Sequence, residues 1–355
     1  MSLHKKPLIL AIDCMGGDNA PKCVIDGSAT VSKQLKDEIK FLFFGDEEIL
    51  RHLIKKADFH SEYEIHNSEN DIPSDAKPSS AFRGVTREYK KSSIVLALQA
   101  IKNKEADMII SSGNTGALMT ISRYILGMLP SIDRPAIVSP IPNEVAEQFV
   151  MLDLGANIGA TTEDLLQLSL MGGVFAKIVL KKNLLRLSLL NIGEEEVKGN
   201  DTIKNTYQTL KHMPQNNIFK FCGYIEPHNI FKNITDVVVC DGFIGNISLK
   251  TMEGTANMIK KYLAQGFRSS ILARIGYLLV KKSLKKTMKL IDPRNKNGAM
   301  LIGLNGVVIK SHGSADDFAF AYALNFGIDL IKNDINNKII KEIDDANFDC
   351  DTNLQ

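Results

Sequence analysis

Six times along this chain a short apolar run stops at a polar or glycine-rich turn. Leu8–Ile12 runs into Asp13 and Gly16-Gly17, Met108–Ile110 into Ser111–Gly116, and Phe149–Leu152 into Asp153–Asn157. Leu187–Leu190 runs into Asn191–Glu196, Val237–Val239 into Cys240–Asn246, and Ala299–Ile309 into Ser311–Ser314. Such runs, the last of them broken by Gly303, Asn305 and Gly306, suit strands buried on both faces, and helical stretches separate them. The alternation predicts a doubly wound, largely parallel α/β sheet covered by helices. Right-handed crossovers would then bring all six turns to one edge, where they would line a cleft. A single glycine turn carries no function, and Asp13 and Asp18 taken alone are only caps; the clustering gives the turns a functional reading.

In the first turn, Gly16-Gly17 allows a reversal that a Cβ would resist. Asp18 or Asn19 is expected to cap the following helix, with Pro21 in its first turn. Neither G-x-G-x-x-G nor G-x-x-x-x-G-K-[ST] occurs, and a G-x-S-x-G elbow is absent, which disfavours the common nucleotide sites and a serine hydrolase. Of seven histidines only His312 sits in a glycine-flanked loop, and no pair has metal-ligand spacing, so no catalytic metal is expected. The five scattered cysteines include no C-x-x-C, which fits a reducing, cytoplasmic setting. No run of 18 apolar residues occurs, and a net charge of +2 gives no sign of nucleic-acid binding.

Two stretches stand apart. Asn67–Ser80 is a long polar loop leading into Lys77, Arg83, Arg87, Lys90 and Lys91, with Ser92-Ser93 capping an apolar helix. This is either a solvated basic face or an anion site at a helix N-terminus. Residues 255–291 hold nine Lys or Arg and no acid, leaving −7 for the rest of the chain. Ile271, Ile275, Leu278 and Leu279 form a helical stripe there, and Gly266 with Ser269-Ser270 divides the segment into two helices. The stripe suits the core, a second subunit or an anionic lipid surface. The chain thus reads as one α/β catalytic domain over 1–333, a basic helical hairpin inserted at 255–292, and a polar tail at 334–355 in which Ile335, Ile339, Ile340 and Ile343 are spaced to extend a helix.

The motifs AIDCMGGDNAP (11–21), KPSSAFR (77–83), KKSS (90–93), SSGNTGALM (111–119), RPAI (134–137), LDLGAN (152–157), NIGEEEVKGN (191–200), CDGFIGNISLKTMEG (240–254) and HGSAD (312–316) occur in register. Together they resemble the bacterial phosphate acyltransferases. YIEPHN (224–229) departs from that pattern, and the tail matches nothing in it. The resemblance implies an α/β/α sandwich of the isopropylmalate dehydrogenase and phosphotransacetylase type with a protruding helical hairpin. It implies a homodimer that uses no cofactor and makes acyl phosphate from long-chain acyl-[acyl carrier protein] and inorganic phosphate, feeding phospholipid synthesis. It places the protein at the cytoplasmic membrane surface, held by anionic lipid or by a membrane-bound glycerol-phosphate acyltransferase. On that reading Lys77, Arg83, Lys91, Ser92, Ser93 and the Gly16-Gly17 turn bind phosphate. Asn114, Thr115, Asn157 and Asn246 face the thioester oxyanion, with Asp13, Asp18, Asp153 and Asp241 orienting those donors. His312 protonates the leaving thiolate. A phosphotransacetylase acting on short acyl-coenzyme A and a non-enzymatic lipid-surface scaffold are the alternatives.

Overall fold

A computed structural model describes residues 6–345, apart from 74, 86, 215–216, 291–296 and the side chains of 285–290. In chain order the first half runs β1 (Leu8–Asp13), α1 (Lys22–Leu35), β2 (Ile39–Gly45), α2 (Glu47–Lys56), β3 (Glu62–Asn67), α3 (Pro78–Gly84), α4 (Ser93–Lys102), β4 (Met108–Ser111) and α5 (Thr115–Leu126). It continues β5 (Ala136–Pro142), β6 (Gln148–Leu152), α6 (Thr162–Leu180), β7 (Leu185–Leu190), α7 (Asp201–His212), β8 (Phe219–Ile225) and β9 (Val237–Val239). The last elements are α8 (Gly242–Arg268), α9 (Ile271–Leu290), β10 (Ala299–Ile302), β11 (Val307–Lys310), α10 (Asp317–Lys332) and α11 (Ile335–Asp345). All eleven strands form one sheet in the order β3-β2-β1-β4-β11-β10-β5-β6-β9-β7-β8.

Side chains that alternate along each strand feed two cores. Leu10 and Ile12 of β1 join Val24, Ile25, Phe320 and Leu324 on the face covered by α1, α6 and α10. Ala11 joins Ile94, Leu98, Leu118 and Ile121 on the face covered by α4 and α5. Each fully buried Leu, Ile or Phe contributes roughly 1.5–3 kcal/mol, so the two cores dominate the stability of the sandwich.

The sheet is largely parallel but reverses in the middle. β11–β10, β10–β5 and β5–β6 are antiparallel pairs, whereas β1–β2, β1–β4, β2–β3, β4–β11, β6–β9, β7–β9 and β7–β8 are parallel. Three successive reversals leave β6, β7, β8 and β9 running opposite to β1, β4 and β11. The expected single cleft edge is therefore corrected: the turns after β1, β4 and β11 lie at one edge, and those after β6, β7 and β9 at the other.

Two further expectations change. Neither Asp18 nor Asn19 caps α1; that helix begins at Lys22, Pro21 precedes it, and the Asn19 amide instead donates to the carbonyls of Ser314 and Ala315. The segment after 333 is not all tail. Ile335, Ile339 and Ile343, spaced four apart, are buried in the first core and hold α11 against α6. Residues 346–355 lie outside the described residues. The basic segment is a helical hairpin, with the turn at Ser269-Ser270 and the Phe267 and Tyr277 rings in contact across it. Residues 291–292 of that segment also lie outside the described residues.

Candidate active site

At the first edge three turns interlock around Asp13. This carboxylate ends β1, is 2% exposed, and accepts hydrogen bonds from Ser93 Oγ and Ser111 Oγ, each at 2.6 Å, and from the Met15 backbone N–H at 3.3 Å. Gly16 lies against the Gly113 backbone so closely that a Cβ would sit 2.6 Å from the Gly113 nitrogen. Gly17 has φ +109°, a conformation that favours glycine. The Asp18 N–H donates to the Gly313 carbonyl at 2.8 Å, tying the β1 turn to the β11 turn. Gly113 N–H donates to Ser111 Oγ at 3.0 Å. The β11 turn is held by Asn297, which precedes β10, accepts from the His312 N–H at 2.9 Å and donates to Ser311 Oγ. The His312 ring is exposed, its Nδ1 lies 2.9 Å from Ser314 Oγ, and its Nε2 has no partner among the described residues.

The long polar loop reaches the same place. Asp71 lies 3.2 Å from Ser93 Oγ, the hydroxyl that also serves Asp13. Burial, then the nearby Asp13 charge, pushes the Asp71 carboxyl up. Lys77 precedes α3 and Arg83 lies on it, both exposed, and Arg83 Nε donates to the Ser79 carbonyl. Lys91 is paired with Glu69 at 2.9 Å. Ser92 stands immediately before α4, fully buried, and its hydroxyl has no hydrogen-bond partner. Asn114 caps α5 by accepting from Ala117 N–H, and its amide donates to the Ala76 carbonyl at 3.0 Å, while Thr115 is exposed in the first turn of that helix.

The second edge gathers the remaining residues expected at the site. Asp153, 1% exposed, accepts from the backbone N–H groups of Ile137, Gly155, Ala156 and Asn157 and from the Asn157 side chain, all at 2.9–3.0 Å. Burial pushes its carboxyl up and these donors oppose the shift. The Asn157 amide also donates to the Pro135 carbonyl at 2.6 Å. Asp241 caps α8 at Phe243 N–H and accepts from Ala160 N–H. Asn246 is exposed on α8, against Gly155. So Asp153, Asn157, Asp241 and Asn246 form their own cluster, apart from Asp13, Gly16, Gly17, Ser93 and His312. The amide donors of Asn114 and Asn157 are already engaged with backbone carbonyls.

Helix α8 starts beside Asp153, and its Leu249 and Met252 pack on the second core. By Lys250 it is close enough to act electrostatically on Lys310, the last residue of β11. Lys310 is the residue that reading the sequence overlooks. Burial lowers its ammonium to about 8, Asp13 and Asp18 oppose the shift, and Lys250 adds to it. A lone lysine closing the apolar run Val307–Ile309, directly before Ser311-His312-Gly313, was the available signal. Among the described residues no group of three His, Cys, Asp or Glu side chains is placed to hold a metal.

The comparisons with known proteins agree over nearly the whole length. The profile of the fatty acid synthesis protein family matches residues 8–338. A phosphate acyltransferase of Paramagnetospirillum magneticum is 41% identical over 338 residues, covering 94% of this chain and 93% of that protein. One from Ehrlichia chaffeensis is 43% identical over 337 residues, covering 94% and 98%. Among solved structures, a phosphotransacetylase from Streptococcus pyogenes superposes with a TM-score of 0.58 at 17% identity, covering 96% of this chain and 95% of that one. A branched-chain phosphotransacylase from Enterococcus faecalis gives 0.55 at 13%, covering 91% and 99%. The structural likenesses speak to the fold, which is that of the phosphotransacetylases; the sequence matches go further, and the chain belongs to the fatty acid synthesis protein family, alongside the phosphate acyltransferases.

Proposed function

We propose that this protein transfers a long acyl chain from acyl-[acyl carrier protein] to inorganic phosphate, giving acyl phosphate for phospholipid synthesis. The observation that carries the reading is the donor-rich edge around Asp13. There, glycine turns, the α4 N-terminus and buried serines converge at strand ends, in a chain more than 40% identical to phosphate acyltransferases.

The chemistry asks little activation of the protein. A phosphate dianion attacks the thioester carbonyl carbon through one oxygen, and the carbon–sulfur bond breaks. Sulfur leaves with the electron pair and takes a proton, while the phosphoryl hydroxyl gives one up. The net change is one proton moved from phosphate to sulfur. A thiol of pKa about 8.5 is an adequate leaving group, so position and charge stabilisation are what the site must supply. In this reading Gly16, Gly17, Ser92, Ser93, Lys77, Arg83 and Lys91 form the phosphate side. Thr115, exposed at the Asp13 edge, offers a donor toward the acyl group, and Asn114 holds the loop that presents it; Asn246 is exposed at the second edge, where Asn157 holds the neighbouring loop. Asp13 and Asp153 fix the two clusters, Asp241 holds the α8 start and Asp18 lies on the β1 turn. His312 protonates sulfur through Nε2, because Nδ1 faces Ser314.

No helix among the described residues is long and apolar enough to cross a membrane. We assign the hairpin of α8 and α9 to contact with a second copy of this chain and with anionic lipid, since Leu272 and Leu279 of α9 are each 81% exposed beside Lys281 and Lys282. The test of the enzymatic reading is thiol release from long-chain acyl-[acyl carrier protein]. Release that requires inorganic phosphate supports the assignment. Release independent of phosphate, or phosphate-dependent release only from short acyl-coenzyme A, overturns it.

A further inference from the structure

Lys310 is placed where an anion must come to it. The β4–β11 register sets Lys310 level with Ser111, and Ser111 donates to Asp13. Residues level on parallel neighbours share a face, here the one covered by α4 and α5. The Lys310 ammonium donates to the adjacent Ser311 carbonyl, and no carboxylate lies within ion-pair distance of it among the described residues. Asp13 and Asp18 act on it only from farther away, and Asp13 already accepts from two serines.

Two other donors at this edge are also unmatched. The Ser92 hydroxyl, before α4, is fully buried without a partner. The Ser112 hydroxyl is likewise unpartnered; Ser112 is 3% exposed, and a Cβ on Gly17 would lie 2.8 Å from its own Cβ. Buried polar groups are ordinarily hydrogen-bonded, and leaving one unmade costs free energy. The ammonium and the two unpartnered hydroxyls belong to the segments that flank Asp13, whose oxygens already accept from Ser93, Ser111 and Met15. A tetrahedral oxyanion, with several acceptor oxygens and two charges, would answer all three.

We propose that the Lys310 ammonium, with the Ser92 and Ser112 hydroxyls, is the seat of the inorganic phosphate substrate. This rests on the phosphate acyltransferase reading and adds to the exposed Lys77, Arg83 and Lys91 a cation at the end of a strand beside Asp13. Depressed to about 8, the lysine regains its full charge when a dianion arrives.

The experiment uses the intact protein and inorganic phosphate. Lysines are acetylated with limiting acetic anhydride at pH 8, and the extent at each is read by peptide mass spectrometry, with and without phosphate. Phosphate should protect Lys310 and leave Lys250 unchanged. In thiol-release assays Lys310→Met should raise the phosphate concentration for half-saturation roughly tenfold to a hundredfold, and Lys310→Arg should recover part of the loss. Ser92→Ala and Ser112→Ala should each give a smaller rise. Equal labelling of Lys310 with and without phosphate, or unchanged half-saturation in Lys310→Met, overturns the proposal. Protection needs no acyl donor. Protection without any thiol release therefore supports the seat while refuting the transferase reading, and phosphate-dependent release without protection does the reverse.

Discussion

Replacing Lys310 with methionine should make the folded protein more stable at neutral pH while impairing phosphate use. The wild-type ammonium is lowered from 10.5 to about 8, so below pH 8 the fold holds a charge that burial disfavours. At about 1.4 kcal/mol per pKa unit, that shift corresponds to about 3 kcal/mol. The group is partly exposed, and methionine forfeits the hydrogen bond to the Ser311 carbonyl, a net contribution of about 1 kcal/mol. A gain of about 2 kcal/mol at pH 7 remains. The sign follows from proton counting: between pH 8 and 10.5 the unfolded chain binds more protons than the folded one, so wild-type stability climbs relative to the variant across that window. Urea unfolding followed by circular dichroism at pH 7, 8, 9 and 10 measures this. The variant should lead at pH 7 and the gap should close as pH rises; added phosphate should stabilise the wild type far more than the variant. A variant less stable than wild type at pH 7, or a gap that does not change with pH, would refute the reasoning.

Asp236, remote from the site, accepts from Arg186 Nε and Nη2 and from Lys182, each at 2.9 Å; burial raises its carboxyl but these cations outweigh that and hold it at about 2. Asp236→Asn should cost about 3–5 kcal/mol in urea unfolding at pH 7 with phosphate half-saturation unchanged, and the wild-type contribution should fade as pH falls from 4 toward 2. His312→Ala should slow thiol release roughly 100-fold with little change in stability, whereas full activity in a less stable variant would remove the acid role. Leu278→Glu should dissociate or aggregate the protein in sedimentation experiments if the stripe is a subunit seam. Changing Lys281, Lys282, Lys285 and Lys286 to Gln should weaken co-sedimentation with anionic vesicles, each cation near the surface contributing about 1 kcal/mol. Unchanged vesicle binding at low salt would end the electrostatic docking assignment.

The strands with uninterrupted apolar runs, such as β1, β4 and β6, were legible because burial on both faces leaves no alternative composition. β5 was not, since Pro140 and Pro142 inside Ala136–Pro142 argue against a strand; β10 pairs only with Ala136–Val138, so at both prolines β5 is bonded to β6 alone, as an edge strand is. The apolar segment 299–309 conceals a reversal at Gly303, φ +91°, that separates β10 from β11. That reversal belongs to the set that turns the second half of the sheet around, and strand direction leaves no mark on local composition. The division of the site followed from it: Asp13, Gly16 and Ser93 were found together, whereas Asp153, Asn157 and Asp241 gathered elsewhere. Lys310 is not singled out by the sequence because a lysine at a strand end normally reaches solvent, whereas here burial lowers its ammonium. Ile335, Ile339 and Ile343 carried a helical period in a polar stretch, but the surface of α6 that they cover has no local signal.

The most direct test of the account supplies the protein with long-chain acyl-[acyl carrier protein] and phosphate labelled with oxygen-18 at all four positions, and reads the product by mass spectrometry. If a phosphate oxygen attacks the thioester carbonyl at the Asp13 edge, the acyl phosphate will carry all four labels and one free thiol will appear per molecule formed. Unlabelled fatty acid as the acyl product, with no labelled acyl phosphate, would mean that water is the nucleophile and would contradict the central claim.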